Sequence, residues 1–305
     1  MENTEKSARV HTDLASERMR ADLSLPGVEY SEGEEDGCRI ARLSITSDVG
    51  AESIGRPKGR YVTMTFPPLY EITDDALSSL AKLLSRLIGE FISALGIKVG
   101  SVLAVGLGNR YMTSDAVGPE SIRKMLATRH LFLEDPDMFA GYSDIMLSLL
   151  SPGVMAQTGI ESRLLVEGAV KAITPDLLIV IDALAARSTD RLATTIQLSD
   201  SGIRPGSGVG NSRLAIDREA LGVPVLAIGV PTVVDSRTLV YDALERAGVP
   251  EDALPQKLCE VLAEGASFFV SPRQMDTVTE RAAQLVADAV NLTFSAGFLK
   301  TAESQ

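Results

Sequence analysis

Two apolar runs in this chain lead to aspartates. Ser101-Val-Leu-Ala-Val-Gly-Leu-Gly-Asn109 is followed by Thr113-Ser-Asp115, and Leu177-Leu-Ile-Val-Ile181 runs directly into Asp182. Open α/β sheets hold their ligands beyond the carboxyl ends of their strands, so Asp115 and Asp182 are expected to converge on one cleft. Two carboxylates that share a proton can activate a water molecule for hydrolysis. The competing use is structural, with Asp115 capping the helix that follows and Asp182 holding a loop.

Other chemistry is thinly supplied. The chain has two His, two Cys and no Trp among 305 residues. His11 lies in a polar N-terminal segment and His130 at a helix end, and neither has an evident nucleophile beside it. Cys38 and Cys259 stand far apart, without zinc or disulfide spacing, and read as ordinary thiols. Gly106-Leu-Gly-Asn109 follows a strand, but the third glycine of a dinucleotide fingerprint would fall on Tyr111. A tight turn is the simpler reading, and no cofactor or metal is expected. Pro205-Gly-Ser-Gly-Val-Gly-Asn211 fits neither a phosphate loop nor a nucleophile elbow. It reads as a cleft-bordering loop in which Gly206, Ser207 and Gly208 offer backbone amides to an extended peptide.

The net charge of -12 argues against a nucleic-acid surface, which needs clustered Lys and Arg. No apolar run reaches the roughly 18 residues of a membrane span, and the polar N-terminus lacks a secretory core, so a cytoplasmic protein is expected. Residues 1–36 read as a charged arm with at most one short helix, near Asp13 to Ala21. Cys38–Thr46 and Arg60–Thr65 alternate as half-buried strands and are expected to form an antiparallel hairpin over 38–65 at a sheet edge.

Leu77, Leu80, Leu84, Leu87, Ile88 and Phe91 recur at helical spacing between Thr73 and Gly96, a helix with both stop signals. Beyond the Val102–Leu107 strand come a helix near 117–127, a connecting region to Gly153, a helix near 161–172 and the Leu177 strand. Strands are expected at 191–198 and 224–230, with helices at 235–247 and 273–292. Alternation of this kind predicts a three-layer α/β domain, a largely parallel doubly wound sheet with helices on both faces and an antiparallel edge.

Taken in order, several blocks together resemble the germination protease family of spore-forming bacteria. They are Gly106-Leu-Gly-Asn109, Thr113-Ser-Asp-Ala-Val-Gly-Pro119, Pro152-Gly-Val-Met155, Ile181-Asp-Ala-Leu-Ala-Ala-Arg-Ser188, Pro205 to Asn211 and Ala227 to Asp235. The resemblance implies a fold related to the hydrogenase maturation endopeptidases. It also implies an atypical aspartic endopeptidase, with Asp115 and Asp182 catalytic, that degrades small acid-soluble spore proteins in the forespore or spore core. Ser114 departs from the proline usual in the family loop, and Gly248 to Ser267 looks short.

Thr12-Asp-Leu-Ala-Ser-Glu17 is similar to the Thr-Glu-Phe-Ala-Ser-Glu site cut in those substrates. The family is made as a zymogen, so residues 1–13 are expected to be a pro-segment released by a cut between Asp13 and Leu14, leaving 14–305 as the peptidase domain. Arg187 is the candidate for binding the acidic side chain before the cut, or else braces the Asp182 loop. The family forms tetramers, and Val286 to Leu299 is either an interface segment or a core helix. Two alternatives stay open: a metal-dependent endopeptidase with both aspartates as ligands, and a non-enzymatic peptide-binding module on the Gly206 loop.

Overall fold

In the computed structural model, residues 12–18, 25–205, 214–249, 253–264, 268–295 and 297 are described. Nine strands, β1 (Val28–Glu35), β2 (Cys38–Ile45), β3 (Gly59–Thr65), β4 (Ser101–Gly106), β5 (Met146–Leu150), β6 (Leu177–Ala186), β7 (Thr195–Ser199), β8 (Val225–Asp235) and β9 (Phe269–Val270), form one sheet among these residues. Its order is β1-β2-β3-β7-β8-β6-β4-β5, with β9 joined to the end of β8. β5, β4, β6 and β8 run parallel, and the pairings from β8 out to β1 are antiparallel.

The parallel half explains its own sequence. Strands covered on both faces read as unbroken apolar runs, and every residue of β4 is buried. Val102, Ala104, Leu177, Ile179 and Ile181 join one core cluster with helices α1 (Asp74–Leu95) and α2 (Val117–Lys124), and with the C-terminal helix. Leu103, Val105, Leu178 and Val180 point the other way and pack with Val166 and Val170 of α3 (Ser162–Ile173). Period-two alternation thus builds the expected α/β three-layer arrangement.

α1 has the limits its sequence sets. The Thr73 hydroxyl accepts from Ala76 N, and Gly96 ends the helix at φ 65°. α4 (Ser236–Arg246) starts on Asp235, whose carboxylate accepts from Arg237 N and Thr238 N. The C-terminal helix, α5 (Met275–Phe294), buries Leu285, Val286, Ala289 and Val290 in the core, so this part of the 286–299 segment serves as a core helix.

Several expectations need correction. β2 and β3 do pair, but the helix Asp48–Ile54 joins them, and they are not at the edge, because β1 adds outside and β7 inside. β1 lies in the segment read as an arm. Its inner six residues, Glu29 to Glu34, are exposed, and its glutamates protect an open strand edge instead of marking it apolar. The supposed Asp13–Ala21 helix is, among the described residues, a 3₁₀ turn at Ala15–Arg18. Strand structure in the 191–198 region begins only at Thr195, after a 3₁₀ turn capped by the Ser188 side chain. β5 lies within the supposed connecting region, too short for its periodicity to register. His11, Gly206, Ser207 and Gly208 lie outside the described residues.

Candidate active site

Glycines at the end of β4 let the Asp115 loop fold back onto the sheet. A Cβ on Gly118 would lie 2.2 Å from Leu107 O and 2.7 Å from Ile181 O, and one on Gly106 would lie 2.2 Å from Gly118 O. Gly108, at φ +114°, faces Asp115 O so closely that a Cβ would stand 2.0 Å away. Leu107 N donates to Ile181 O at 2.8 Å, tying the loop to β6 just before Asp182. The Gly-Leu-Gly-Asn sequence is therefore a close-approach turn.

Asp115 does not cap the helix after it. The cap position is Ala116, which makes no side-chain cap bond, and the Asp115 carboxylate instead accepts from Asn109 N at 2.8 Å. Asn109 Oδ1 in turn accepts from Tyr111 N and Gln157 Nε2, and Thr279 of α5 donates to Thr113 O. The loop is thus held from three directions. Ser114 lines the same cleft as Asp115.

Asp182 is 6% exposed and sits on β6 in the face that also carries Leu178, Val180 and Leu184. Its Oδ1 accepts from Ala183 N at 3.0 Å. Asp182 pairs across the sheet with Gly229 of β8, Gly229 pairs with Gln197 of β7, and Gln197 pairs with Thr63 of β3. Directly opposed residues share a face, so this row forms the floor of a cleft of about 930 Å³ that Asp115 and Asp182 both line.

Thr12–Glu17 crosses that floor. Asp13 N donates to Ala185 O at 2.7 Å, and Ala185 N returns a bond to Asp13 Oδ2 at 3.0 Å. Leu14 is fully buried against Leu184, Ala186, Leu192 and Val234. Ala15 N donates to Gln197 Oε1, Gln197 Nε2 donates to Asp13 O, and the Thr63 hydroxyl reaches Ser16 Oγ. The Glu17 carboxylate accepts from Arg187 N at 2.8 Å and Ser188 N at 3.0 Å, and from the Thr12 hydroxyl. After Leu14 the segment turns into the 3₁₀ turn Ala15–Arg18.

Charge around the arm is placed differently from the sequence expectation. The Arg187 guanidinium turns to α4, where it pairs with Asp242 at 3.8 Å and with Glu245. Only the Arg187 backbone touches the arm, through Glu17. Arg56 stands beside Asp13 instead, with Nη2 3.8 Å from Oδ1 and a hydrogen bond to Thr12 O. Arg18 also enters the cleft; desolvation first, and the Arg56 charge second, hold its guanidinium below the ordinary value. Sequence reading missed Arg56 and Gln197, since no motif surrounds either. His130 is exposed and does not line the cleft, and burial raises the pKa of the Cys38 thiol, as suits an unreactive packing residue.

Leu14 anchors the arm by burial, which yields a direct test. Leu14→Ala is expected to weaken arm seating by about 2 to 4 kcal/mol, the usual range for truncating a buried leucine. Amide exchange at Asp13 and Ala15 would then accelerate; unchanged protection would show that Leu14 is not the anchor.

The germination protease family profile matches residues 6–247 of this chain. A germination protease of Caldanaerobacter subterraneus subsp. tengcongensis is 38% identical over 318 residues, covering 97% of this chain and 97% of its own length. That of Priestia megaterium is 43% identical, covering 77% of this chain and 66% of its own. That of Clostridium perfringens is 32% identical, covering 93% and 94%. A solved [NiFe] hydrogenase maturation protease, HycI from Thermococcus kodakarensis KOD1, overlaps 63% of this chain and 94% of its own, at 17% identity and a TM-score of 0.34.

Proposed function

Because this chain belongs to the germination protease family, we propose that it is an aspartic-type endopeptidase that degrades small acid-soluble spore proteins and first removes its own arm by cutting between Asp13 and Leu14. The observation that carries the proposal is the seating of Thr12–Glu17 in the cleft that holds Asp115 and Asp182. An arm bound there occupies the site as a substrate would, which accounts for a silent zymogen and for its release in one cut.

In the proposed reaction, two carboxylates at close range keep one proton between them, because both cannot ionise together. The ionised member takes a proton from water. That water attacks the Asp13 carbonyl carbon, and the protonated member delivers its proton to the departing Leu14 nitrogen. Asp115 and Asp182 titrate as a unit in this scheme. Substrates bearing Thr, an acidic residue, an apolar residue and then Ala-Ser-Glu would take the place of Thr12–Glu17 once the cut frees residues 1–13 and the new end, Leu14–Glu17, leaves the cleft. Arg56 would face the acidic residue before the cut, and the Arg187–Ser188 amides would receive the final glutamate. The forespore or spore core and a tetrameric assembly complete the proposal by family resemblance.

Family membership sets aside the non-enzymatic binding module. The metal-dependent alternative would recruit Asp115 and Asp182 as ligands. Among the described residues, no group of three or more His, Cys, Asp and Glu is gathered to complete such a set. Incubating the full-length chain at mildly acidic pH with and without a chelator separates the two. The proposal expects loss of residues 1–13 in both; arrest by the chelator, reversed by a divalent ion, would favour the metal.

A further inference from the structure

The Gln197 carboxamide holds the arm backbone on both sides of Leu14. Its Oε1 accepts from Ala15 N at 2.7 Å, and its Nε2 donates to Asp13 O at 3.2 Å. The orientation follows from the partners: Ala15 N can only donate and Asp13 O can only accept, so the amide has one consistent placement. Gln197 is 7% exposed, and its strand is paired on one side to Thr63 and on the other to Gly229.

The register connects this contact to the chemistry. Asp182, Gly229 and Gln197 form one row across β6, β8 and β7, so Asp182 and Gln197 stand two strand spacings of about 4.8 Å apart on one face. Between them Gly229 has no side chain, and the Leu184 side chain packs over it, its Cδ1 2.2 Å from where a Cβ would stand. The Leu14 N–H, at the other end of the same peptide bond, donates to Thr12 Oγ1 at 3.1 Å. Oxygen and nitrogen of the Asp13–Leu14 bond therefore both have fixed polar partners, and the oxygen's partner is a neutral donor on the face of the sheet that carries Asp182.

We propose that Gln197 is a catalytic residue whose Nε2–H stabilises the oxyanion formed on the scissile carbonyl oxygen, in self-processing and in substrate cleavage alike. This rests on the reading that Asp13–Leu14 is the bond cut. Water oxygen bonds to the Asp13 carbonyl carbon while its proton passes to the ionised carboxylate. The carbonyl electron pair moves onto oxygen, where Gln197 Nε2–H meets it. That pair then returns, the carbon–nitrogen bond breaks, and Leu14 nitrogen takes the proton of the other carboxyl. Gln197 neither gains nor loses a proton. Donors aimed at a developing oxyanion act mainly in the transition state, and the 3.2 Å contact to the ground-state oxygen shortens as charge gathers there.

Two substitutions in the full-length chain test this by intact-mass measurement of the self-processing rate. Gln197→Met removes both bonds. Gln197→Glu keeps an acceptor for Ala15 N but, when ionised, has no donor. Both are expected to process roughly 10² to 10³-fold more slowly than wild type at neutral pH, the usual loss for an oxyanion donor. Measured relative to wild type at each pH, the Glu variant should recover as pH falls and its protonated carboxyl regains a donor, whereas the Met variant should not. A wild-type rate in either variant, or parallel pH profiles for the two, would overturn the proposal. A wild-type cut at another bond would instead overturn the reading of Asp13–Leu14.

Discussion

Asp182→Asn is expected to slow cleavage of both the arm and an added Thr-Asp-Leu-Ala-Ser-Glu peptide by about 10³ to 10⁴-fold, the upper range for loss of an acid–base group. The substitution is nearly isosteric. An asparagine Oδ1 can still accept from Ala183 N, which now donates to Asp182 at 3.0 Å. At a position only 6% exposed, a neutral amide in place of a carboxyl that shares a proton with its neighbour should leave the thermal midpoint unchanged or raise it. Asp115→Asn should behave alike, since its contact with Asn109 N needs only an acceptor. The double variant should be little worse than either single one, because residues that act as a unit are not additive. A single variant that kept its rate would remove that aspartate from the reaction.

Gly108→Ala is the second large expectation, because it strikes position and not chemistry. A Cβ there would stand 2.0 Å from Asp115 O on backbone at φ +114°, where L side chains are already strained. The loop would have to move, and with it Asp115. A destabilisation of about 2 to 5 kcal/mol is expected, joining backbone strain to overpacking. Activity should fall as well in whatever fraction stays folded. Gly222→Ala supplies the control: its φ is +72°, but nothing lies within 4 Å of the added carbon. It should cost about 1 kcal/mol, the left-handed penalty alone, and leave cleavage intact. Equal effects of the two would mean that the close approach does not position Asp115.

The same contrast between local and non-local information explains what was legible in the sequence. β4 and β6 announce themselves because burial on both faces leaves long apolar runs, and α1 carries its own cap and stop. Asp115 and Asp182 could be singled out because each follows such a run, although the structure carries β6 on past Asp182 to Ala186, so that aspartate lies within the strand and not at its end. β1 could not be read, since an exposed edge strand rich in glutamate has the composition of a solvated arm. Gln197 has no motif, and its meaning comes from a row of residues on three strands far apart in sequence.

Arg187 is more instructive. It stands in a bend just past the end of β6, so the chain direction there and not the strand sets where its side chain goes. There it meets Asp242 and Glu245 of α4, while Arg56, remote in sequence, reaches Asp13.

In the proposed reaction Asp115 and Asp182 act together on the Asp13–Leu14 bond. Its most direct test is intact-mass measurement of the full-length chain over time at mildly acidic pH, wild type beside Asp182→Asn. The wild-type product is expected to begin at Leu14, and the variant to keep its full mass. A variant that releases the same 13 residues at the wild-type rate would contradict it.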